Sequence, residues 1–79
     1  MKTVDALGTW CPVPIYLIDR AITTVPSGDA VLLLADDPLI EVDLPAWCHD
    51  TGHHLVALTR DDGGYRGVVR SRSGRVPTT

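Results

Sequence analysis

Apolar and polar positions change period several times along this chain, and each change marks an element. Thr3–Leu7 alternates weakly and stops at Gly8, which predicts a short strand. From Pro14 to about Val25, Ile15, Ile18 and Ile22 fall at i, i+3 and i+7, with Ala21 and Val25 beside them. That spacing predicts an amphipathic helix. Pro26-Ser27-Gly28-Asp29 supplies turn chemistry to end it. Ala30–Ala35 is an unbroken apolar run of strand length, the pattern of an interior strand covered on at least one face.

Asp36-Asp37-Pro38 offers an N-cap followed by proline at a first helical position. A second helix is expected from there to Thr51, with Gly52 as its C-cap. Pro45 lies inside it, so the helix should kink or properly begin near Asp43. Leu39–Val42 alternates like a strand and reads as either core or contact surface. His54–Thr59 predicts a third strand, Asp61-Asp62-Gly63-Gly64 a hairpin turn, and Tyr65–Ser71 a fourth, half-polar strand. The order is β-α-β-α-β-β. A right-handed crossover followed by an antiparallel hairpin gives an α/β two-layer sandwich, a mixed four-stranded sheet with two helices on one face.

Composition narrows the class. At 79 residues, 44% hydrophobic and 22% charged, the chain fits one soluble domain over residues 1–72 with a flexible tail over 73–79. No apolar run approaches the roughly 20 residues of a membrane span, and the N-terminus lacks signal-peptide features. A cytoplasmic, reducing location follows. The net charge of −3 is uneven. Residues 1–50 carry Lys2 and Arg20 against eight acids, whereas residues 51–79 carry five arginines against Asp61 and Asp62. The basic end reads either as an edge strand kept soluble by arginine or as a patch for an acidic partner or RNA.

One cysteine carries the candidate chemistry. Cys11 lies between Gly8-Thr9-Trp10 and Pro12-Val13-Pro14, just before the first helix. Helix N-termini present unpaired N–H groups and positive dipole, which bias a nearby thiol toward the nucleophilic thiolate. Pro12 and Pro14 suit a first turn and stiffen the backbone that bears the sulfur. With no C-x-x-C partner and no histidine nearby in sequence, a single activated thiol suits carrying a group better than cleaving a bond. The alternative, a small buried hydrophobe at a strand–helix junction, stands beside this reading.

The motifs resemble the TusA/SirA-like sulfur carrier family over about residues 4–71. Asp5-Ala6-Leu7-Gly8-x-x-Cys11-Pro12-x-Pro14 is similar to the family's opening, with its CPxP motif. Pro26-x-Gly28-x-x-Val31, Asp36-Asp37-Pro38, Asp43-Leu44-Pro45-x-Trp47-Cys48 and Gly52-His53-x-Leu55 follow in the family's order and spacing. The resemblance implies the sandwich fold of the C-terminal domain of translation initiation factor three. It implies a sulfurtransferase in the carrier sense, with sulfane sulfur held as a persulfide on Cys11 and no metal or organic cofactor. The partners it implies are a sulfur donor, a cysteine desulfurase or rhodanese-like protein, and an acceptor in tRNA thiolation, molybdenum cofactor synthesis or sulfur oxidation.

Within that resemblance Asp5, Gly8, Pro12 and Pro14 form a positioning shell for Cys11. Trp10, Val13 and Arg20 are candidates for docking. Trp10 and Val13 replace the family's frequent polar or basic and acidic residues at these places, so they bear on partner identity. The rival reading is a non-catalytic regulatory or RNA-binding module on the same fold, using Arg66, Arg70 and Arg72. Cys48 reads as core or as a resolving thiol. His49, His53 and His54 read as residues that finish the second helix and favour its negative end rather than as metal ligands.

Overall fold

The structure, a computed structural model, describes residues 1–72. The tail predicted over 73–79 lies outside the described residues. The element order is β1 (Lys2–Asp5), α1 (Val13–Ile22), β2 (Ala30–Ala35), α2 (Ile40–Thr51), β3 (His54–Asp61) and β4 (Gly64–Arg70). The strands form one mixed sheet in the order β1-β2-β4-β3. β1 and β2 are parallel, with Asp5 opposite Leu34, and β4 runs antiparallel to both β2 and β3. The predicted two-layer sandwich is the observed fold.

Both helices cover one face of the sheet. Val4 from β1, Val31, Leu33 and Ala35 from β2, and Tyr65 and Val69 from β4 are buried beneath them. The other face carries the alternate positions, among them Leu32, Leu34, Arg66 and Arg70. This is period-2 alternation, disguised in β2 because both of its faces are apolar. β3 breaks the alternation: Leu55 and Leu58 both turn inward, opposite Val69 and Gly67, because a bulge at Val56 inserts one extra residue.

Several boundaries differ from the sequence expectation for local reasons. β1 ends at Asp5 instead of Leu7 because the Asp5 carboxylate accepts the Leu7 N–H at 3.1 Å and turns the chain. α1 ends at Ile22 instead of Val25. There the hydroxyls of Thr23 and Thr24 donate to the carbonyls of Arg20 and Ala21 at 2.7 and 2.6 Å. Both residues thus favour local bonds over another helical turn. α2 does not wait for Asp43; it runs unbroken from Ile40 through Pro45. Its stripe, Ile40, Leu44 and Cys48, is buried at i, i+4 and i+8 on both sides of the proline, and that burial outweighs one missing backbone bond. Leu39, Glu41 and Val42 are exposed around buried Ile40, so the stretch is core at one position and surface at three. Gly52 caps α2 in the left-handed conformation and donates to the Cys48 carbonyl at 2.9 Å, as expected. No helix among the described residues is long and apolar enough to cross a membrane.

Candidate functional site

Because β1 and β2 are parallel, the loops that leave their C-terminal ends emerge at the same end of the sheet. The first, residues 6–12, carries Cys11; the second, residues 36–39, carries Asp36 and Asp37. The first loop starts from buried Ala6, whose N–H donates to Leu34 O at 2.8 Å. Its internal bonds are short-range: Thr9 donates to the Ala6 carbonyl through N–H and Oγ at 3.2 and 2.7 Å, and the Val13 N–H donates to Trp10 O at 2.8 Å. Gly8 turns the chain at φ +80°, a conformation that costs other residues energy.

Two aspartates bind this loop from across the site. Asp36 Oδ2 accepts the Gly8 N–H at 3.0 Å, and Asp37 Oδ2 accepts the Cys11 N–H at 2.9 Å. The other Asp37 oxygen accepts the Leu39 N–H at 2.9 Å. These two backbone bonds, Leu39 first and then Cys11, hold the Asp37 carboxyl below the usual carboxylate range. From the sequence alone this pair reads as an N-cap signal. The missed signal is topological: in a parallel strand–helix–strand unit, two acids directly after the second strand lie beside the loop that leaves the first.

Cys11 is half-buried and packs on the edge of the core. Pro12 is the N-cap of α1, and the Cys11–Pro12 peptide is cis. The expectation of a thiol biased toward thiolate is not met. Burial, then the neighbouring carboxylates of Asp43 and Asp37, push the Cys11 thiol up to about 11. The helix end is outweighed by desolvation and by two carboxylates, one from α2 and one from the loop before it. At neutral pH the thiol of the free protein is protonated.

The other predicted residues distribute as follows. Asp5 and Gly8 shape the loop as described, exposed Pro12 caps α1, and buried Pro14 occupies the second helical position, where a missing N–H costs nothing. Trp10 (78% exposed) and Val13 flank the cysteine on the surface. Leu39 and Val42 add exposed apolar area at the start of α2. Arg20 is not part of this rim: it lies in the last turn of α1, two turns or roughly 10 Å beyond Val13, where a cation favours the helix dipole. Between α1 and α2 runs a shallow, mostly apolar groove of about 440 Å³, lined by Pro12, Val13, Ile15, Tyr16 and Trp47.

Cys48 is core, 4% exposed, and burial alone pushes its thiol up to about 11. Both cysteines are free. Of the histidines only His49 lies in the last turn of α2; His53 and His54 follow the Gly52 cap. His53 does not act as a cation there. Its Nδ1 accepts the Arg72 backbone N–H at 3.0 Å, and its ring packs at a tilt of 33° against Trp47 with centroids 5.1 Å apart. Desolvation first, then the charges of Arg72 and His54 against an opposing effect of Asp19, hold it below the ordinary histidine value. Among the described residues no three His, Cys, Asp or Glu side chains form a group able to hold a metal. The arginines of the rival reading engage this chain: Arg66 pairs with Asp61 at 3.7 Å, Arg70 donates to Gly28 O at 3.0 Å, and Arg72 donates to Thr51 O at 3.3 Å.

Comparison with known proteins agrees with this picture. Residues 2–71 match the family model described as sulfurtransferase TusA. Among solved structures the chain is similar to the SirA-like protein from Desulfitobacterium hafniense. The two are 27% identical, with a TM-score of 0.73 over 89% of this chain and 95% of that one.

Proposed function

Since the chain belongs to the sulfurtransferase TusA family, we propose that it is a carrier that holds sulfane sulfur as a persulfide on Cys11 and relays it between two proteins. The observation that carries the reading is the contrast between its two thiols. Cys11 sits half-exposed on a tethered loop between surface-exposed Trp10 and Val13, whereas Cys48 is sealed in the core.

In the loading step Cys11 sulfur attacks the outer sulfur of a donor persulfide. The new S–S bond forms on Cys11, the donor's own S–S bond breaks, and the donor cysteine leaves as thiolate. The Cys11 proton departs to solvent as the attack begins, from a sulfur on which the charges of Asp43 and Asp37 act. In the forwarding step an acceptor thiolate attacks the outer sulfur and Cys11 leaves. A thiol of high pKa is a strong nucleophile once deprotonated but a poor leaving group. The free carrier therefore retains its sulfur, and forwarding depends on what a docked acceptor does to the two carboxylates. The exposed apolar rim of Trp10, Val13, Leu39 and Val42 is the docking surface in this scheme. The domain over residues 1–72 is the unit that acts.

The test is intact-protein mass after incubation with a cysteine desulfurase and cysteine. The expected result is a gain of one sulfur that dithiothreitol removes and that Cys11→Ser abolishes. An equal gain in Cys11→Ser, or none in the parent chain, would end the proposal.

A further inference from the structure

The carboxylates of Asp36 and Asp37 also make the side-chain bonds that reach from the cysteine loop to a distant stretch of chain. Asp36 binds the Gly8 N–H and Asp37 the Cys11 N–H, at 3.0 and 2.9 Å, across 28 and 26 residues of sequence. Both follow directly on Ala35, which is fully buried and registered against Tyr65 in β4. Asp37 is fixed a second time: its other oxygen closes a turn over Pro38 by accepting the Leu39 N–H at 2.9 Å. Pro38 has no N–H of its own to compete. A carboxylate held by the sheet on one side and by the entrance to α2 on the other is a rigid peg, and the backbone of Cys11 hangs on it.

α2 begins one residue past Leu39 and carries Asp43 in its first turn. The same short segment thus fixes the Cys11 backbone and leads directly into the helical turn that carries Asp43. We infer that Asp37 is the positioning residue of Cys11, its carboxylate fixing the backbone so that the sulfur faces Asp43, with Asp36 holding Gly8 in support. The charged groups acting on the sulfur are Asp43 from α2 and Asp37 from the preceding loop. The inference deepens the carrier reading and takes its significance from it, but its test requires no sulfur transfer.

The experiment is a double-mutant cycle read by alkylation of Cys11 with iodoacetamide at pH 8, the modified site assigned by peptide mass. Well below the thiol's pKa the rate follows the small thiolate fraction. Asp37→Ser keeps a hydroxyl that can still cap the Leu39 N–H but falls short of Cys11. In the parent chain Asp43→Asn should raise the rate about tenfold or more, as the sulfur loses its neighbouring charge. In the Asp37→Ser background the sulfur no longer faces residue 43, and the same substitution should change the rate less than about threefold. Asp37→Asn, which retains an acceptor oxygen at the original length, should restore the larger response.

A tenfold response to Asp43→Asn in all three backgrounds would overturn the inference, because it would leave Asp37 acting through its charge alone. If Asp37→Ser loses its cooperative thermal transition, Asp37→Glu, whose longer side chain displaces the oxygen, carries the same expectation and the same refutation. A parent chain that shows this coupling but never gains sulfur would refute the carrier reading and leave the positioning intact. Normal loading without the coupling would do the reverse.

Discussion

Gly67 lies at the centre of β4, between Leu33 of β2 and Leu58 of β3, on the face that the helices cover. A Cβ built there would stand 2.5 Å from Leu44 Cδ2 and 3.7 Å from Leu58 Cδ1. The second distance is an ordinary contact; the first is about 1 Å inside the 3.5–4.0 Å optimum for carbon. The obstacle is the end of a side chain, but Leu44 is fully buried and α2 carries it against the sheet, so it has little room to turn away. Gly67→Ala should therefore cost about 1–3 kcal/mol in overpacking, offset by about 0.5–1 kcal/mol from replacing a strand glycine. The 2.5 Å approach places the cost in the upper half of that range, and the net loss of about 1–2.5 kcal/mol lowers the melting temperature of a domain this size by roughly 4–20 °C. Thermal and urea denaturation followed by circular dichroism would measure it, with an unchanged urea slope as the check that the unfolded state is the same. The cause can be isolated. Leu44→Ala alone should cost about 2–5 kcal/mol through the cavity it leaves, and about 1–3 kcal/mol less when Gly67 is already Ala. A Gly67→Ala protein as stable as its parent, or additive losses in the double variant, would refute the packing argument.

Two further outcomes follow from groups whose pKa values are displaced. The folded-state value of His53 is held below its unfolded value near 6.5, so on acidification the unfolded chain takes up a proton before the folded one does. Stability should be fully present above about pH 6.5 and fall as pH drops toward the lowered value, with His53→Gln flattening the urea midpoint between pH 5 and 7.5; an unchanged slope in that variant would place the pH dependence elsewhere. Ellman's reagent should modify Cys11 alone in the folded protein and Cys48 only after denaturation, and equal rates for both thiols in the native state would contradict the burial of Cys48.

The fold was legible where a local pattern and the tertiary outcome coincide. Ala30–Ala35 was bounded correctly because an apolar run between two turn signals can pack in few other ways. The start of α2 stays open between Pro38 and Asp43 in the sequence because Pro45 is a local warning, whereas the burial of Ile40, Leu44 and Cys48 is supplied by a sheet the sequence window does not contain. The bulge at Val56 is not legible in the sequence, since Leu55 and Leu58 stand three apart and share a face only once β4 is in place beside them. The site divides in the same way. Cys11 and its prolines announce themselves by adjacency. The electrostatics of the sulfur do not, because the helix end beside it is local while burial, and after it Asp43 and Asp37, arrive through the fold and reverse the sign of the expected shift.

The position of β4 has a consequence for how such a chain is made. Among the described residues sequence order places this strand last, while space places it in the middle, bonded to β2 on one side and β3 on the other. Until residues 64–70 have left the ribosome, the nascent chain holds a two-stranded parallel ribbon and an unattached third strand, too little to bury both helices. The tethered loop around Cys11 leans on Asp36 and Asp37 at the end of that ribbon. The thiol therefore acquires its working environment only after translation has passed the final strand, and a chain cut short before that strand would expose its cysteines in no defined setting.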